Sequence, residues 1–125
     1  MDENELSKVI IGYAMEVHSE LGPGLLESVY ESCLEYELKQ GGFYVERQKP
    51  VPVLYHDVNI DCGFRLDLFV EKKLIIELKA VDAINNIHLA QTLTYLKLTS
   101  CKLALLINFN VLHLKDGIKR VVNKL

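Results

Sequence analysis

Apolar and polar positions alternate with two different periods along this chain, and the changes of period mark its predicted elements. Apolar residues recur every three or four positions over residues 4–21, 25–40 and 87–99, which predicts three amphipathic helices. The Gly-Pro-Gly stretch at 22–24 separates the first two helices, and paired glycines at 41–42 end the second. Two predicted helices therefore precede a central segment with a different pattern, and one predicted helix follows it.

In the central segment the period shortens to two, which is typical of strands. Residues 44–48 and 51–55 are predicted strands, and residues 58–63 lead into a longer pair over 64–80. The apolar run at 103–109 predicts a strand covered on both faces. Residues 111–114 and 118–122 are predicted edge strands. The order helix, helix, three or four strands, helix, strand indicates an α/β (α+β) fold.

The stretch at 64–80 predicts a hairpin whose charged turn is Glu71-Lys72-Lys73. If Val70 pairs with Leu74, Asp67 lies opposite Glu77. Because side chains alternate between the faces of a strand, Asp67, Glu77 and Lys79 then share one face. The other face is an unbroken apolar surface of Leu66, Leu68, Val70, Leu74, Ile76, Leu78 and Ala80. A slip of one residue in the register is the alternative, and it would separate the two acids.

Two opposed carboxylates need a compensating charge. At the roughly 5 Å between paired Cβ atoms they repel by about 3 kcal/mol if the effective dielectric is near 20. An exposed salt bridge returns only about 0–1 kcal/mol. We therefore expect either a protonated acid or a cation between Asp67 and Glu77, and a divalent metal held by oxygens is the simplest cation. A salt-bridge cluster without metal is the purely structural alternative.

Other polar residues have simpler predicted roles. Glu27 stands in the first turn of the second helix, where an acid favours the helix dipole. Glu31, Glu35 and Glu37 follow on what is predicted to be a solvated acidic face. His18 adjoins the apolar stripe of the first helix and is predicted to be a packing histidine, with a role at the site as the alternative.

Composition narrows the class of protein. With 125 residues, half of them apolar and a quarter charged, the chain is predicted to form one domain over residues 1–125. No apolar run approaches the roughly 20 residues that cross a bilayer, and the acidic start does not resemble a secretory signal. The three cysteines, Cys33, Cys62 and Cys101, are odd in number and widely spaced, which predicts reduced thiols in the cytoplasm. The net charge of −3 counts against a tight, non-specific nucleic-acid binder.

Several short motifs resemble one family. The run from Gly24 to Tyr30 spells the Gly-x-x-Glu-x-x-Tyr signature of the GxxExxY proteins, and residues 17–24 and 106–110 are similar to that family as well. The resemblance covers nearly the whole chain. These proteins are grouped with the PD-(D/E)XK nuclease superfamily, which implies a restriction-endonuclease-like core: a mixed central sheet flanked by helices.

The resemblance also implies site residues. Asp67 matches the lone acid of the superfamily, Glu77-Leu78-Lys79 the acid-x-Lys element, and Glu27 the helical acid of many branches. Leu66 stands where a proline often precedes the lone acid. Gln91 and Tyr95 match a Gln-x-x-x-Tyr motif of the branch related to bacterial recombination nucleases, which implies contacts to substrate.

The implied activity is phosphodiester hydrolysis with Mg²⁺ or Mn²⁺, on DNA more than RNA. Metal ligands would come from Asp67, Glu77, Glu27 and the carbonyl of Leu78, while Lys79 would act on the attacking water. Three acids and one lysine sum to −2, which one divalent ion neutralises. The alternative is a catalytically weak nuclease-fold binding module that acts with a protein or nucleic-acid partner. A homodimer and a protein partner that supplies specificity are compatible with so small a domain.

Overall fold

The structure is a computed structural model that describes residues 1–61 and 63–125. Helices α1 (Glu3–Leu21) and α2 (Glu27–Gln40) come first. They are followed by strands β1 (Val45–Pro50), β2 (Val53–Tyr55), β3 (Val58–Ile60), β4 (Arg65–Val70) and β5 (Leu74–Lys79). Helix α3 (Asn86–Thr99), strand β6 (Leu103–Asn108), a 3₁₀ turn (Leu114–Gly117) and strand β7 (Ile118–Val122) complete the order.

Local sequence explains where the helices begin and end. The Asp2 carboxylate accepts the Glu5 N–H at 2.8 Å and caps α1. Gly22, at φ +68°, ends that helix in a conformation that favours glycine. At α3, Asn85 accepts the backbone N–H of His88, and the His88 ring accepts the N–H of Asn85, which forms a capping box. All three predicted helices are confirmed within one or two residues.

Five strands form the main sheet in the order β1-β4-β5-β6-β7. The pairing of β5 with β6 is parallel and the other pairings are antiparallel, so the sheet is mixed. Side chains on one face pack with α1 and α2, and those on the other face pack with α3. Strand β6 is buried throughout, as its apolar run predicts. The predicted mixed sheet flanked by helices is confirmed.

Strands β2 and β3 form a separate two-stranded sheet. The turn between them, His56-Asp57, has positive φ at both residues. Several large side chains of this hairpin are exposed, among them Leu54, Tyr55 and Val58.

The predicted edge strand at 111–114 is wrong. The chain bends after β6 and enters the 3₁₀ turn, where Leu114 is buried against the core. The carbonyl of Val111 bonds the Nε2 atom of His18 at 2.8 Å instead of a neighbouring strand. The alternating apolar residues at 111–114 predict pairing with a neighbouring strand, but tertiary contacts hold this segment instead. They also confirm His18 as a buried packing residue, 6.2 Å from the Phe109 ring.

Two further expectations concern the whole chain. Cys33 and Cys101 are free thiols, as predicted, while Cys62 lies outside the described residues. No helix in the described parts of the chain combines the length and the apolar character that crossing a bilayer requires.

Candidate active site

The hairpin of β4 and β5 has the predicted register. Val70 pairs with Leu74, and the ladder continues through Leu68 and Ile76. The turn of three charged residues closes with a hydrogen bond of 3.0 Å from the Lys73 N–H to the Val70 carbonyl. Backbone pairing stops one residue before Asp67 and Glu77.

Beyond that point, acidic side chains replace the backbone ladder. The Asp67 N–H donates to Oε2 of Glu77 at 2.8 Å, and the Leu78 N–H donates to Oδ2 of Asp67 at 2.8 Å. Each carboxylate therefore binds the backbone of the opposite strand. The two acids lie together as predicted, and the alternative of a slipped register is wrong.

The neighbouring strand is distorted at the same level. Pairing between β1 and β4 runs through Arg47–Leu68 and resumes at Lys49–Leu66, skipping Gln48. Gln48 has φ +53°, which is uncommon for a residue other than glycine and marks local strain. Leu66 accordingly packs with Val51 and the α3 side of the sheet, so the predicted unbroken apolar face is wrong at this residue.

Burial sets the electrostatics of the acid pair. Glu77 is only 6% exposed, and burial together with the nearby Asp67 charge raises its pKa to about 8. Burial also raises the pKa of Asp67, although the N–H of Leu78 opposes the shift. The positive charge of Lys79 opposes this rise in the pKa of both acids, but it does not cancel it. Without a cation, Glu77 therefore holds a proton near neutral pH.

Lys79 and Glu27 lie at the carboxyl end of β5. The Lys79 side chain is half-buried, and its charge acts on both acids of the pair. Glu27 begins α2 and is exposed, and its Oε2 accepts the Ala80 N–H at 3.1 Å. Its charge raises the pKa of Asp67, which shows that the three carboxylates share one region.

Helix α3 brings Tyr95 to the opposite side of this region. Tyr95 is 6% exposed and meets the Phe64 ring edge-on at 5.8 Å. Burial raises the pKa of its phenol, and so do the charges of Glu77 and Asp67. Gln91, one helical turn earlier, is exposed. The structure thus joins Tyr95 to the acids electrostatically, while a contact by Gln91 stays a prediction.

The sequence patterns do not predict three polar residues of the site. Glu31 was expected on a solvated face, which is wrong, since it is 6% exposed. Arg47 Nε donates to Glu31 Oε2 at 2.6 Å, and Gln48 Nε2 donates to Glu31 Oε1 at 2.8 Å and to Asp67 Oδ1 at 3.3 Å. Burial raises the pKa of Glu31 and Arg47 opposes the shift. Gln48 therefore links Glu31 of α2, which is paired with Arg47 of β1, to Asp67 of β4.

A signal for this network was present in the sequence. Glu31 stands four residues after Glu27, so both acids lie on one side of α2. It also follows Tyr30, which is buried and stacks on Phe109 at 4.4 Å. The Arg-Gln pair at 47–48 supplies donors on the next strand, but only the tertiary arrangement shows that they meet Glu31.

Comparison with known proteins places the chain in a family. The model of the PD-(D/E)XK nuclease superfamily matches residues 4–121. The chain belongs to this superfamily. The restriction-endonuclease-like fold follows, with its mixed sheet flanked by helices. Neither the curated proteins nor the solved structures contain a significant match to the chain. Membership of the GxxExxY subgroup stays a prediction.

Members of the superfamily generally use divalent metals, and the chemistry of the acid pair fits such an ion. Both side chains offer hard carboxylate oxygens, which Mg²⁺ and Mn²⁺ prefer. One oxygen of each acid binds backbone, and Asp67 Oδ1 also accepts from Gln48, which leaves Glu77 Oε1 and the second lone pair of Asp67 Oδ1 for a cation. Residues 1–61 and 63–125 contain no group of three or more His, Cys, Asp or Glu side chains arranged to hold a metal. Glu27 as a further ligand therefore stays a prediction.

Proposed function

We propose that this chain is a divalent-metal-dependent nuclease that hydrolyses phosphodiester bonds of DNA, and less readily of RNA. The observation that supports the proposal most strongly is the pair of half-buried Asp67 and buried Glu77, each hydrogen-bonded to the backbone of the other's strand. Without a cation the two carboxylates cannot both carry a charge at neutral pH, and a divalent cation between them would allow both to ionise.

In this proposal Asp67 and Glu77 hold Mg²⁺ or Mn²⁺, and Glu27 and the Leu78 carbonyl complete the set of ligands. The bound ion supplies Lewis-acid polarisation of the phosphate and a more acidic water. The half-buried ammonium of Lys79 orients the attacking water and stabilises negative charge on the phosphate oxygens. Hydrolysis forms a bond from the water oxygen to phosphorus and breaks the bond to the leaving oxygen, which takes up a proton.

The substrate backbone is proposed to contact α3. Tyr95 stands close enough to the acids for their charges to raise the pKa of its phenol. Gln91 lies one turn away and is exposed, so its amide can bind a phosphate oxygen. Together these side chains would fix the phosphate over the acid pair.

The test is cleavage of plasmid DNA, single-stranded DNA and RNA in the presence of Mn²⁺ or Mg²⁺. We expect Asp67→Asn and Lys79→Met each to lower the rate about 10²- to 10⁴-fold, since each removes a charge aimed at the reacting centre. The matched control is Asp57→Asn, which makes the same change in the exposed β2–β3 turn and should leave the rate unchanged.

A wild-type protein that binds Mn²⁺ but cuts none of these substrates would overturn the proposal. It would favour the second candidate, a nuclease-fold binding module with little turnover. The observation behind that candidate is that the described residues contain no ready three-ligand metal group. Equal rates for wild type and Lys79→Met would remove the catalytic role of the lysine alone.

A further inference from the structure

Charge is distributed very unevenly along the chain. Residues 1–82 contain 16 acidic and 8 basic residues, a formal charge of −8. Residues 83–125 contain one acidic residue, Asp116, and 6 basic residues, a formal charge of +5. The overall charge of −3 conceals this separation, which is typical of a chain with one surface for a polyanion.

Three of the lysines in the basic part line one recess. It has a volume of about 440 Å³ and is formed by Lys97, Ser100, Lys102, Asn123 and Lys124. All three lysines are exposed. Within residues 1–61 and 63–125, none of them has a carboxylate within 4 Å, whereas Lys39 and Lys49 are paired with acids.

Backbone contacts hold the recess together. The Asn123 N–H donates to the Lys102 carbonyl at 2.9 Å, and the Asn123 side chain donates to the Cys101 carbonyl at 3.1 Å. These bonds fix the segment after β7 beside the end of α3. Three like charges are therefore kept close together by the fold, an arrangement that an anion stabilises.

Helix α3 connects this recess with the acid pair. The helix carries no Asp or Glu, and Gln91, Thr94 and Lys97 form an exposed row at three-residue spacing. Its 14 residues span about 20 Å, from the loop that follows Lys79 to the recess at Lys97 and Ser100. A polyanion that reaches the acids can continue along α3 without meeting a carboxylate from that helix.

We propose that the recess of Lys97, Lys102 and Lys124 binds the phosphodiester backbone of the nucleic acid whose reacting phosphate lies at Asp67 and Glu77. This inference rests on the proposed function and identifies its substrate-binding surface. At about 3.4 Å per phosphate along one strand of a duplex, the length of α3 corresponds to roughly six phosphates. A nucleic-acid strand is favoured over an anionic membrane because it presents phosphates in a continuous row that can follow the acid-free helix α3.

The test is binding of fluorescein-labelled duplex DNA measured by anisotropy in EDTA, where no cleavage occurs, across a range of NaCl concentrations. The test variant is Lys97→Gln/Lys102→Gln/Lys124→Gln. The control, Lys8→Gln/Lys39→Gln/Lys72→Gln, changes the net charge equally at exposed positions of α1, α2 and the β4–β5 turn. We expect the test variant to bind about 10- to 100-fold more weakly, and its slope of log affinity against log salt to fall by about 2 to 3.

The control should bind within about twofold of wild type. Equal weakening by both variants, or by neither, would overturn the proposal. So would lysine-dependent binding to phosphatidylserine vesicles but not to DNA. Because the measurement needs no turnover, a protein that fails to cut DNA can still confirm this surface. If the protein is an active nuclease but the test variant binds DNA like the control, the proposed binding surface is wrong and the proposed activity stands.

Discussion

Glu77 is the residue of the acid pair on which burial acts most strongly. Its pKa is about 8 in the folded chain against 4.5 for the free group. Between these values the native state holds a proton that the unfolded state lacks, so stability falls as pH rises from about 4.5 to 8. We expect Glu77→Gln to remove most of this decline, measured as the free energy of unfolding in urea at several pH values without metal.

The control for that series is Glu16→Gln, an exposed acid on α1 that should keep the wild-type pH dependence. The same linkage gives a second readout, because a cation that replaces the Glu77 proton binds more tightly as pH rises. Wild-type stability that stays level or increases from pH 5 to pH 8 would contradict the assignment of a buried, protonated Glu77.

Gln48 holds the other acid of the pair in place. Its amide donates to both Glu31 and Asp67. We expect Gln48→Ala to cost about 1–2 kcal/mol, because Glu31 loses one of its two donor residues in a buried position. Urea denaturation measures the loss, and Gln40→Ala, an exposed position at the end of α2, is the control. A cost no larger than that of the control would show that the amide does not support the site.

The connection between β6 and β7 requires the backbone at Gly117 to lie close to the carbonyl of Asn108. A Cβ on Gly117 would lie 2.2 Å from the Asn108 carbonyl oxygen and 3.1 Å from Val111 Cγ2. Gly117→Ala should therefore destabilise the protein by about 1–3 kcal/mol. Thermal unfolding measures the change in stability.

Gly12→Ala is the matched control for that substitution. No atom lies within 4 Å of its added Cβ, and the position is exposed in the middle of α1. It should stabilise the protein by about 0.5–1 kcal/mol, because alanine favours the helix. Similar destabilisation by both alanines would contradict the close packing of the 3₁₀ turn on β6.

The elements that could be predicted are those whose determinants are local. Helical periodicity, caps and the charged turn specify α1, α2, α3 and the β4–β5 hairpin without tertiary information. The separate sheet of β2 and β3 and the 3₁₀ turn could not be derived in this way. The first depends on which strands find partners in the main sheet, and the second on Leu114 and Val111 meeting residues far away in sequence.

The same distinction between local and tertiary determinants applies to the candidate site. The register places Asp67, Glu77 and Lys79 together, because one hairpin carries all three. Glu31 and Arg47 belong to different elements, and neither pattern predicts that they form an ion pair at 2.6 Å. The lysine recess was missed because the net charge of the chain averages over surfaces of opposite sign.

Metal binding should stabilise the whole chain. An ion that binds only the folded state at a hundredfold excess over its Kd adds about 2.7 kcal/mol. We expect the Tm to rise by several degrees when Mn²⁺ is added to the wild type, measured by scanning calorimetry. Asp67→Asn should show little or no rise, whereas Asp57→Asn should respond like the wild type.

The most direct test of the acid pair as a metal site is a crystal structure of the protein soaked in Mn²⁺, with the metal located by its anomalous scattering. A metal held by the acid pair should give an anomalous peak within about 2.0–2.4 Å of carboxylate oxygens from both Asp67 and Glu77. A crystal that takes up Mn²⁺ elsewhere and shows no peak between these two residues would contradict this assignment.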